Sequence, residues 1–459
     1  MFTIDFKKPI HVYFMGIGGI SMSGLAQILL SRKFTVSGSD MKQSPLTQQL
    51  ALEGANIYYG QQLSHIDPSV ELVVYTAAIH EDNPEFQDAL KRGIPILSRA
   101  ELLGQLMKNY ELPVAVSGTH GKTTTTSMIS DVLLACDTDP TLTIGGILPS
   151  IGGNIRIGHS PYFVTEACEY TNSFLSFFPK IGIILNIEED HMDFFHNLEE
   201  IEESFHRFAA LLPEDGCLIL NNEIKHLPSI TQNLSCQILR YGFTKDCDYY
   251  ASQITYDDKG LPSYRLNRRG EEVAVVSLGV PGKHNVSNSL AVFALSDILN
   301  LPLEKTLIAL SRFSGTKRRF EYKGNLGGIT IIDDYAHHPT EIAATLDAAL
   351  ARPHNRLICI FQPHTYTRTK AFLTEFALAL SKADLIVLSD IYAAREVNSI
   401  GISSLDLQRE IEKLGKTCYY FPTFDEIENF LLENSINGDL LITMGAGDIV
   451  KVGENLLGI

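Results

Sequence analysis

The segment Gly118-Thr-His-Gly-Lys-Thr-Thr124 holds the residues of this sequence best suited to chemistry. An apolar run from Pro113 to Val116 predicts a buried strand before it, and residues 122–135 carry the apolar spacing of a helix. Strand, glycine loop, Lys-Thr and helix form a phosphate cradle, because backbone N–H groups and the helix N-terminus face the anion. Val116 replaces the first glycine of the full pattern, so a plain glycine turn is the structural alternative. The segment favours nucleoside triphosphate binding through Lys122.

Metal-binding side chains follow two predicted strands downstream of this loop. Glu166 ends the strand that begins at Tyr162, and His191 follows the strand that begins at Ile181. At a phosphate loop, Mg²⁺ is held by the loop hydroxyl and by a carboxylate at the end of a neighbouring strand. We therefore expect Thr123 and Glu166 to bind one ion. His191, although a lone histidine is more often structural, is placed to complete a second metal position near the γ-phosphate.

A second glycine motif lies near the start of the chain. The run Gly16-Ile-Gly-Gly-Ile-Ser-Met-Ser-Gly24 follows a strand candidate at 11–15, and a second strand ends at Asp40. This order predicts a βαβ unit with an acid placed to meet a ribose. Ser21 occupies the position of the third glycine of the dinucleotide fingerprint. The residues leave three alternatives open: NAD, another nucleotide or nucleotide-sugar, or a purely structural turn.

The last third of the chain predicts another nucleotide-type sheet. Lys317-Arg-Arg-Phe320 is a basic cluster that can reach phosphates as a clamp, or else a solvated charge run in a linker. Four predicted strands, each followed by polar or glycine residues, come after it: 330–335, 357–361, 385–388 and 439–443. Doubly wound sheets bind ligands at such strand ends. Upstream, the start of a predicted helix offers hydrogen bonds to an adenine or a phosphate from His284, Asn285 and Asn288.

Length, net charge, apolar runs and cysteine spacing restrict the kind of protein that this sequence can encode. A length of 459 residues suggests about three domains. The net charge of −17 argues against non-specific nucleic-acid binding. No apolar run reaches the roughly 18 residues that a membrane span needs. The seven cysteines are scattered without C-x-x-C spacing, which is typical of reduced thiols in a cytoplasmic protein.

The order of predicted elements indicates an α/β protein of three domains. We expect an N-terminal Rossmann-like domain over residues 1–108, a central P-loop ATPase-type α/β domain over 109–316 and a C-terminal Rossmann-like α/β domain over 317–459.

Several motifs together resemble the peptidoglycan-precursor amino-acid ligases. The family resemblance rests on Gly118–Thr124, Asn186-Ile-Glu-Glu-Asp-His-Met-Asp193, Gly282-Lys-His-Asn285 and Asp334-Tyr-Ala-His-His-Pro339. Four further motifs are similar to those of the members that add L-alanine: Gly16-Ile-Gly-Gly19, Ser37-Gly-Ser-Asp40, Phe361-Gln-Pro-His364 and Asp390-Ile-Tyr-Ala-Ala-Arg-Glu396. The resemblance implies ATP-dependent joining of L-alanine to the lactyl carboxylate of UDP-N-acetylmuramate through an acyl phosphate, a step in peptidoglycan synthesis and so in cell-wall formation, cell shape and cell division.

The resemblance also implies roles for individual residues. The catalytic residues would be Lys122, His191, His337 and Arg368. ATP would be bound by Gly118, Thr119, His120, Gly121, Lys122, Thr123, Thr124, Asn285, Arg319 and Asp334. The UDP-sugar would be bound by Gly18, Gly19, Ser39 and Asp40, and the amino-acid end would be formed by Tyr335, His364 and Arg368. Two Mg²⁺ ions would be held by Thr123, Glu166 and His191, the last acting together with Glu166.

Three other functions compete with this interpretation. An oxidoreductase would use only the first glycine motif, and a regulatory ATPase would use only the central loop. The nearest alternative is the recycling ligase that attaches a tripeptide to the same nucleotide-sugar, or another ligase of the family. We expect a cytoplasmic monomer or weak dimer without nucleic-acid partners.

Overall fold

The computed structural model describes residues 2–62, 65–394 and 396–459. Arg395, part of one quoted motif, lies outside the described residues. Three sheets of five, ten and six strands follow one another along the chain, with helices packed on them. The expected α/β architecture of three domains is confirmed.

The first sheet has the strand order β3-β2-β1-β4-β5, and all of its neighbouring strands are parallel. Its order reverses beside β1, which places the glycine turn after β1 at the point where such sheets bind ligands. Residues 12–15 of β1 are fully buried because helices cover both faces of a parallel sheet. The elements are β1 His11–Met15, α1 Ile20–Ser31, β2 Thr35–Asp40, α2 Pro45–Leu52, β3 Asn56–Tyr59, β4 Leu72–Tyr75, α3 Pro84–Lys91, β5 Ile96–Ser98 and α4 Arg99–Met107.

The central sheet has the order β15-β14-β13-β12-β11-β10-β6-β9-β7-β8. The strand before the phosphate loop, β6, lies between β9 and β10, so the residues that follow all three strands meet at one edge. Its first elements are β6 Leu112–Ser117, α5 Lys122–Ala135, β7 Thr141–Leu148, β8 Gly153–Arg156, β9 Tyr162–Ala167, β10 Ile181–Ile184 and α6 Leu198–Ala209. They are followed by β11 Cys217–Asn221, α7 Leu227–Thr231, β12 Gln237–Gly242, β13 Tyr249–Tyr256, β14 Pro262–Arg268, β15 Glu271–Ser277, α8 Lys283–Ile298 and α9 Leu303–Arg312. Short 3₁₀ helices span Pro149–Ile151 and Tyr170–Ser176.

The third sheet has the order β16-β17-β21-β18-β19-β20, with only β16 antiparallel to its neighbour. Its first elements are β16 Glu321–Leu326, β17 Ile329–Asp334, α10 Pro339–Leu350, β18 Leu357–Phe361, α11 Tyr366–Ala371 and α12 Leu373–Leu380. They are followed by β19 Leu385–Leu388, α13 Ser404–Lys413, β20 Cys418–Tyr420, α14 Phe424–Asn434, β21 Leu440–Met444 and α15 Val450–Leu457.

The first two domains share one hydrophobic core. A single buried cluster joins residues of β1 and α4 to Ala115, Phe163 and Phe174 of the central domain. Helix α4 lies so close to the 3₁₀ helix Tyr170–Ser176 that a Cβ at Gly104 would overlap the Ser176 carbonyl. The two domains are therefore packed as one unit.

The third domain has cores of its own. Among the described residues, its two buried clusters contain only residues from 331 onwards. Its contacts with the central domain across the phosphate-loop cavity are polar: Arg368 with Asp190, Thr340 with Glu188, and His120 with Glu341. This interface therefore depends on charges and hydrogen bonds.

The connection between the central and third domains is tied to each side by different contacts. On the central side, the Thr316 hydroxyl donates to Ser127 and the Lys317 N–H donates to the Ile147 carbonyl. On the other side, Arg318 donates from Nε to Asp333 at 3.0 Å and from its two Nη groups to the carbonyls of 445 and 447. The change of attachment therefore falls between residues 317 and 318.

Two further observations concern the whole chain. All seven cysteines are free, as expected from their spacing. Within the described ranges, no helix has both the length and the apolar character needed to cross a membrane.

Candidate active site

A cavity of about 770 Å³ lies between the central and third domains, directly beside the phosphate loop. Its lining includes His120, Thr124, Glu188, Asn285, Asn288, Arg319, Asp334, His338 and Glu341. A cleft of this volume is large enough for a nucleotide. These residues come from five separate segments of the sequence, and the fold brings them together.

The phosphate loop between β6 and α5 has the conformation that its glycines require. Gly118 has φ +143° and Gly121 has φ +82°, which L-residues rarely adopt. Gly121 caps α5 without a side-chain hydrogen bond, and the first turn of this helix contains no acid. The N–H groups at this helix end are thus left for an anion, as the sequence predicted.

Lys122 is folded back onto its own loop. Its Nζ donates to the carbonyl oxygens of Gly118 at 2.5 Å and Thr119 at 3.0 Å, and lies 3.0 Å from Glu169 Oε2. Burial opposes the positive charge, but the Glu169 carboxylate outweighs it and raises the pKa of Lys122. Lys122 is therefore a charged ammonium at the mouth of the cradle.

Glu169 is a site residue to which sequence reasoning gave no role. Its side chain is 3% exposed, and it pairs with Lys122. It lies just after β9, which ends at Ala167, so strand alternation could not place it. Its only signal in the sequence was a second carboxylate three positions after Glu166.

Thr123 and Glu166 lie together, as the sequence predicted. The Thr123 hydroxyl donates to Glu166 Oε2 at 3.0 Å, and the Gly145 N–H donates to Oε1 at 2.5 Å. Burial raises the pKa of Glu166. A hydroxyl and a carboxylate next to a phosphate loop form an oxygen donor set that suits Mg²⁺.

His191 does not contact the carboxylate that the sequence analysis assigned to it. Its Nε2 lies 3.7 Å from Glu169 Oε1 and 3.7 Å from Asp190 Oδ2, and its ring stacks on Tyr170 at 4.5 Å. The turn after β9 thus brings a second carboxylate, Glu169, beside His191 at the end of β10. The metal position predicted for His191 with Glu166 stays a prediction.

Arg319 and Asp334 face the cavity from the third domain. Arg319 Nη1 lies 3.9 Å from Glu341 Oε1, and its guanidinium lies 5.2 Å from the centre of the Tyr335 ring. Both oxygens of Asp334 accept backbone N–H groups, one from Phe320 at 2.8 Å and one from Ala336 at 2.7 Å. Burial raises the pKa of Asp334 to about 6. Asp334 thus lines the cavity and also holds the backbone at Phe320 and Ala336 in place.

Asn285 lines the cavity from the start of α8, but its side chain is bound within the protein. Its Nδ2 donates to the Pro281 carbonyl at 2.7 Å, and its Oδ1 accepts from Asn288 at 3.1 Å. His284 lies beside them, and burial lowers its pKa to about 4. These residues form a neutral wall of the cavity opposite Arg319.

Arg368 is not free to bind a carboxylate in this structure. It donates to Asp190 Oδ1 from Nε at 3.1 Å and from Nη2 at 2.8 Å, and Nη1 lies 3.1 Å from His364 Nδ1. The expected role at the amino-acid end therefore requires an exchange of partners. Burial opposes a charge on Asp190, but Arg368 outweighs it and lowers the pKa of that carboxyl.

The two histidines of this region are neutral. Burial lowers the pKa of His337 and of His364 to about 4. His337 Nδ1 lies 3.1 Å from the Tyr335 carbonyl, which can only accept, so the proton is on Nδ1 and Nε2 carries the lone pair. Their rings lie 5.6 Å apart. Tyr335, His337, His364 and Arg368 are thus brought together as expected.

The glycine turn after β1 matches its prediction in part. Gly16 has φ +79°, Gly19 caps α1 without a side-chain bond, and the Gly18 N–H donates to Asp40 Oδ2 at 2.8 Å. The hydroxyl of Ser39, however, is buried and donates to Glu85 Oε2 at 2.6 Å. Ser39 is therefore corrected from a ligand contact to a support beneath the turn, since its position in β2 points its side chain away from the ligand edge.

Three family models match the chain in succession. They are the Mur ligase family catalytic domain over residues 11–111, the Mur ligase middle domain over 116–296 and the Mur ligase glutamate ligase domain over 318–447.

Individual relatives match over the full length. The chain is 58% identical over 457 residues to the UDP-N-acetylmuramate–L-alanine ligase of Agathobacter rectalis, with 100% of both chains covered. It is 50% identical to the enzyme of the same name from Caldanaerobacter subterraneus, over 99% of this chain and 98% of the relative.

Solved structures agree with these relatives. The UDP-N-acetylmuramate–alanine ligase of Thermotoga maritima superposes with a TM-score of 0.80 at 29% identity, over 98% of each chain. A murein peptide ligase from Psychrobacter arcticus gives a TM-score of 0.70 at 26% identity, also over 98% of each chain. The chain belongs to the Mur ligase family.

Proposed function

We propose that the chain joins L-alanine to the lactyl carboxylate of UDP-N-acetylmuramate at the expense of ATP. The observation that carries this proposal is Lys122, charged and held at a phosphate loop whose cavity is completed by a second domain. Full-length relatives named for this reaction support the choice of substrates. The tripeptide-adding ligase is the less favoured alternative, because the solved UDP-N-acetylmuramate:L-alanyl-γ-D-glutamyl-meso-diaminopimelate ligase of Neisseria meningitides gives a TM-score of 0.61, against 0.80 for the alanine ligase of Thermotoga maritima.

The first step forms an acyl phosphate. A carboxylate oxygen of the nucleotide-sugar attacks the γ-phosphorus, the bond between the γ-phosphorus and the β–γ bridging oxygen breaks, and ADP leaves. Lys122 offsets the negative charge as the two anions approach, because its ammonium is already fixed by loop carbonyls. Glu169 releases Lys122 as the phosphates take its place.

Magnesium fits this site. Thr123 and Glu166 would hold one ion, and His191 would help to hold a second with Glu166, Glu169 being the carboxylate beside it. When bound, these ions supply positive charge to the phosphate oxygens.

The second step forms the amide. The alanine amine attacks the acyl carbon, a tetrahedral intermediate forms, and phosphate leaves. The attacking nitrogen must lose a proton, and His337 is neutral with a lone pair on Nε2, so it can accept that proton. Arg368 would exchange Asp190 for the alanine carboxylate, and the third domain would keep water from the acyl phosphate.

The remaining expectations stay proposals. They are the domain boundaries near 108 and 316, the UDP-sugar at Gly18, Gly19 and Asp40, a cytoplasmic location, and a monomeric or weakly dimeric state.

The test is release of ADP with UDP-N-acetylmuramate and one of four acceptors: L-alanine, glycine, L-serine or the tripeptide. We expect the highest rate with L-alanine. Lys122→Ala should lower the rate roughly 10³-fold, because the developing charge loses its cation. Lys305→Ala, which removes an exposed lysine paired with Asp137, should leave it unchanged. Turnover with tripeptide alone would contradict the proposal, as would full activity in Lys122→Ala.

A further inference from the structure

A group of metal-ligating side chains lies in the cavity, apart from Thr123 and Glu166. It consists of His120 on the phosphate loop, Glu188 after β10 and His338 at the start of α10. One ligand atom from each of the three lies within 4.8 Å of the others. Neither Glu188 nor His338 has a role in the reaction proposed above. The group spans two domains, since His338 belongs to the third.

The two ring nitrogens of His120 differ in their contacts. Its Nδ1 lies 3.2 Å from Glu341 Oε1, whereas its buried Nε2 makes no hydrogen bond to any residue that the structure describes. That Nε2 lies 3.6 Å from Glu188 Oε2. A carboxylate on one nitrogen, with the other aimed at a ligand, is the usual arrangement of a metal-binding histidine.

His338 shows the same arrangement. Its Nε2 lies 3.1 Å from the Glu189 carbonyl, which can only accept, so Nε2 carries the proton and Nδ1 the lone pair. Within the described part of the chain, Nδ1 accepts only from the Thr340 N–H at 3.4 Å, a long contact. The Thr340 hydroxyl donates to Glu188 Oε2 at 2.6 Å and so fixes the carboxylate.

The donor set and spacing suit zinc better than magnesium. Two imidazoles and one carboxylate are common zinc ligands, whereas magnesium prefers oxygen. Bonds of about 2.0 Å at tetrahedral angles place ligand atoms roughly 3.3 Å apart, close to the 3.6 Å between His120 and Glu188. In the metal-free chain, the proton on His120 offsets the negative charges of Glu188 and Glu341. A divalent cation would offset these charges in place of the proton.

We propose that His120, Glu188 and His338 form a site for a transition-metal ion of the zinc type. Because its ligands come from both domains, the ion holds the third domain onto the central one. It also occupies the cavity beside the phosphate loop. Zinc would therefore slow exchange of nucleotide, a consequence that rests on the proposed function, whereas the binding itself does not.

The test uses the metal-free full-length chain in millimolar Mg²⁺, which fills the oxygen sites. Titration with Zn²⁺ by calorimetry should give one site per chain, and Co²⁺ should give the strong visible absorption of a tetrahedral site. His338→Ala should abolish the absorption, and Glu188→Gln should weaken Zn²⁺ binding at least 10-fold. If His338→Ala does not fold, the Zn²⁺ affinity of Glu188→Gln is the test of the site.

Two histidine variants serve as controls. His191→Ala removes the imidazole next to Glu169, and His196→Ala removes an exposed one; both should bind Zn²⁺ as the parent does. Unchanged binding in both His338→Ala and Glu188→Gln would overturn the proposal, as would loss of binding in His191→Ala alone. These titrations need no substrate, so failure of the ligase assay would leave their result intact.

Discussion

The central domain contacts the first domain through apolar packing and the third domain through polar groups. Towards the first domain, the contact is a continuous hydrophobic cluster in which α4 touches the backbone of the 3₁₀ helix Tyr170–Ser176. Towards the third domain, the described residues along the cavity meet through ion pairs and histidines, such as Arg368 with Asp190 and His120 with Glu341. Apolar packing does not tolerate displacement, whereas charged groups can exchange partners with ligands and water.

The difference indicates which part of the enzyme moves. The first domain is fixed, so a nucleotide-sugar bound there, as proposed, would keep a constant position relative to the phosphate loop. The polar contacts of the third domain can be exchanged for contacts to water or ligands, so this is the interface that we expect to separate. An enzyme that must admit ATP and then exclude water needs this combination of one rigid and one separable interface.

The largest effect is expected at the rigid interface. Gly104→Ala places a methyl group against the Ser176 carbonyl, and backbone on both sides must shift. We expect a loss of about 3 kcal/mol in the free energy of unfolding, measured as a lower midpoint of thermal unfolding. Gly153→Ala has open space around its Cβ and is the matched control. An unaltered midpoint in Gly104→Ala would show that this interface is looser than described.

A smaller effect is expected at the polar interface. Asp190→Ala removes the partner of Arg368, a charge-assisted contact that contributes about 1.5–3 kcal/mol. We expect kcat/KM to fall roughly 10- to 100-fold while thermal unfolding changes little, because the loss falls on domain closure. Asp347→Ala breaks an exposed pair with Lys382 within the third domain and should be silent. Unfolding at a clearly lower temperature in Asp190→Ala would mean that this interface also supports the fold.

The smallest effect is a dependence on pH. Burial alone would lower the pKa of His120, but the carboxylates of Glu341 and Glu188 raise it to about 9. The charge on His120 that meets Glu341 of the third domain is therefore present at pH 6.5 and is lost as pH rises through about 9, which weakens this contact between the domains. The radius of gyration from X-ray scattering should therefore increase between pH 6.5 and 9.5. His120→Gln should show a flatter profile, and equal profiles would rule out His120 as the titrating group.

Much of the fold was predictable because local patterns agreed with it. The strands at 11–15, 357–361 and 385–388 have the predicted bounds, since each is an apolar run closed by small or polar residues. Pro339 begins α10, a position that its fixed φ suits. The antiparallel strands β13, β14 and β15 were not foreseen, because their alternating polar and apolar residues are buried on one face only in the assembled sheet.

The site was predictable where it follows a strand and less so where a turn intervenes. Thr123 and Glu166 meet because β6 and β9 are neighbours. The contact of Glu169 with Lys122 depends on a turn, and that of Asp190 with Arg368 depends on the approach of another domain. Neither turns nor domain contacts produce a periodic pattern in the sequence. Ser39 was misplaced because one residue along a strand decides which way a side chain points.

The attachment of the linker also fixes the kind of motion that is available. Thr316 and Lys317 are bound to the central domain, and Arg318 is bound to the third through Asp333 and two carbonyls. One backbone contact crosses this point, the Arg319 N–H donating to the Thr316 carbonyl at 3.1 Å. The third domain is therefore attached by a short pivot rather than by a long tether. A rotation at this pivot would displace Arg319, the next residue, only a little.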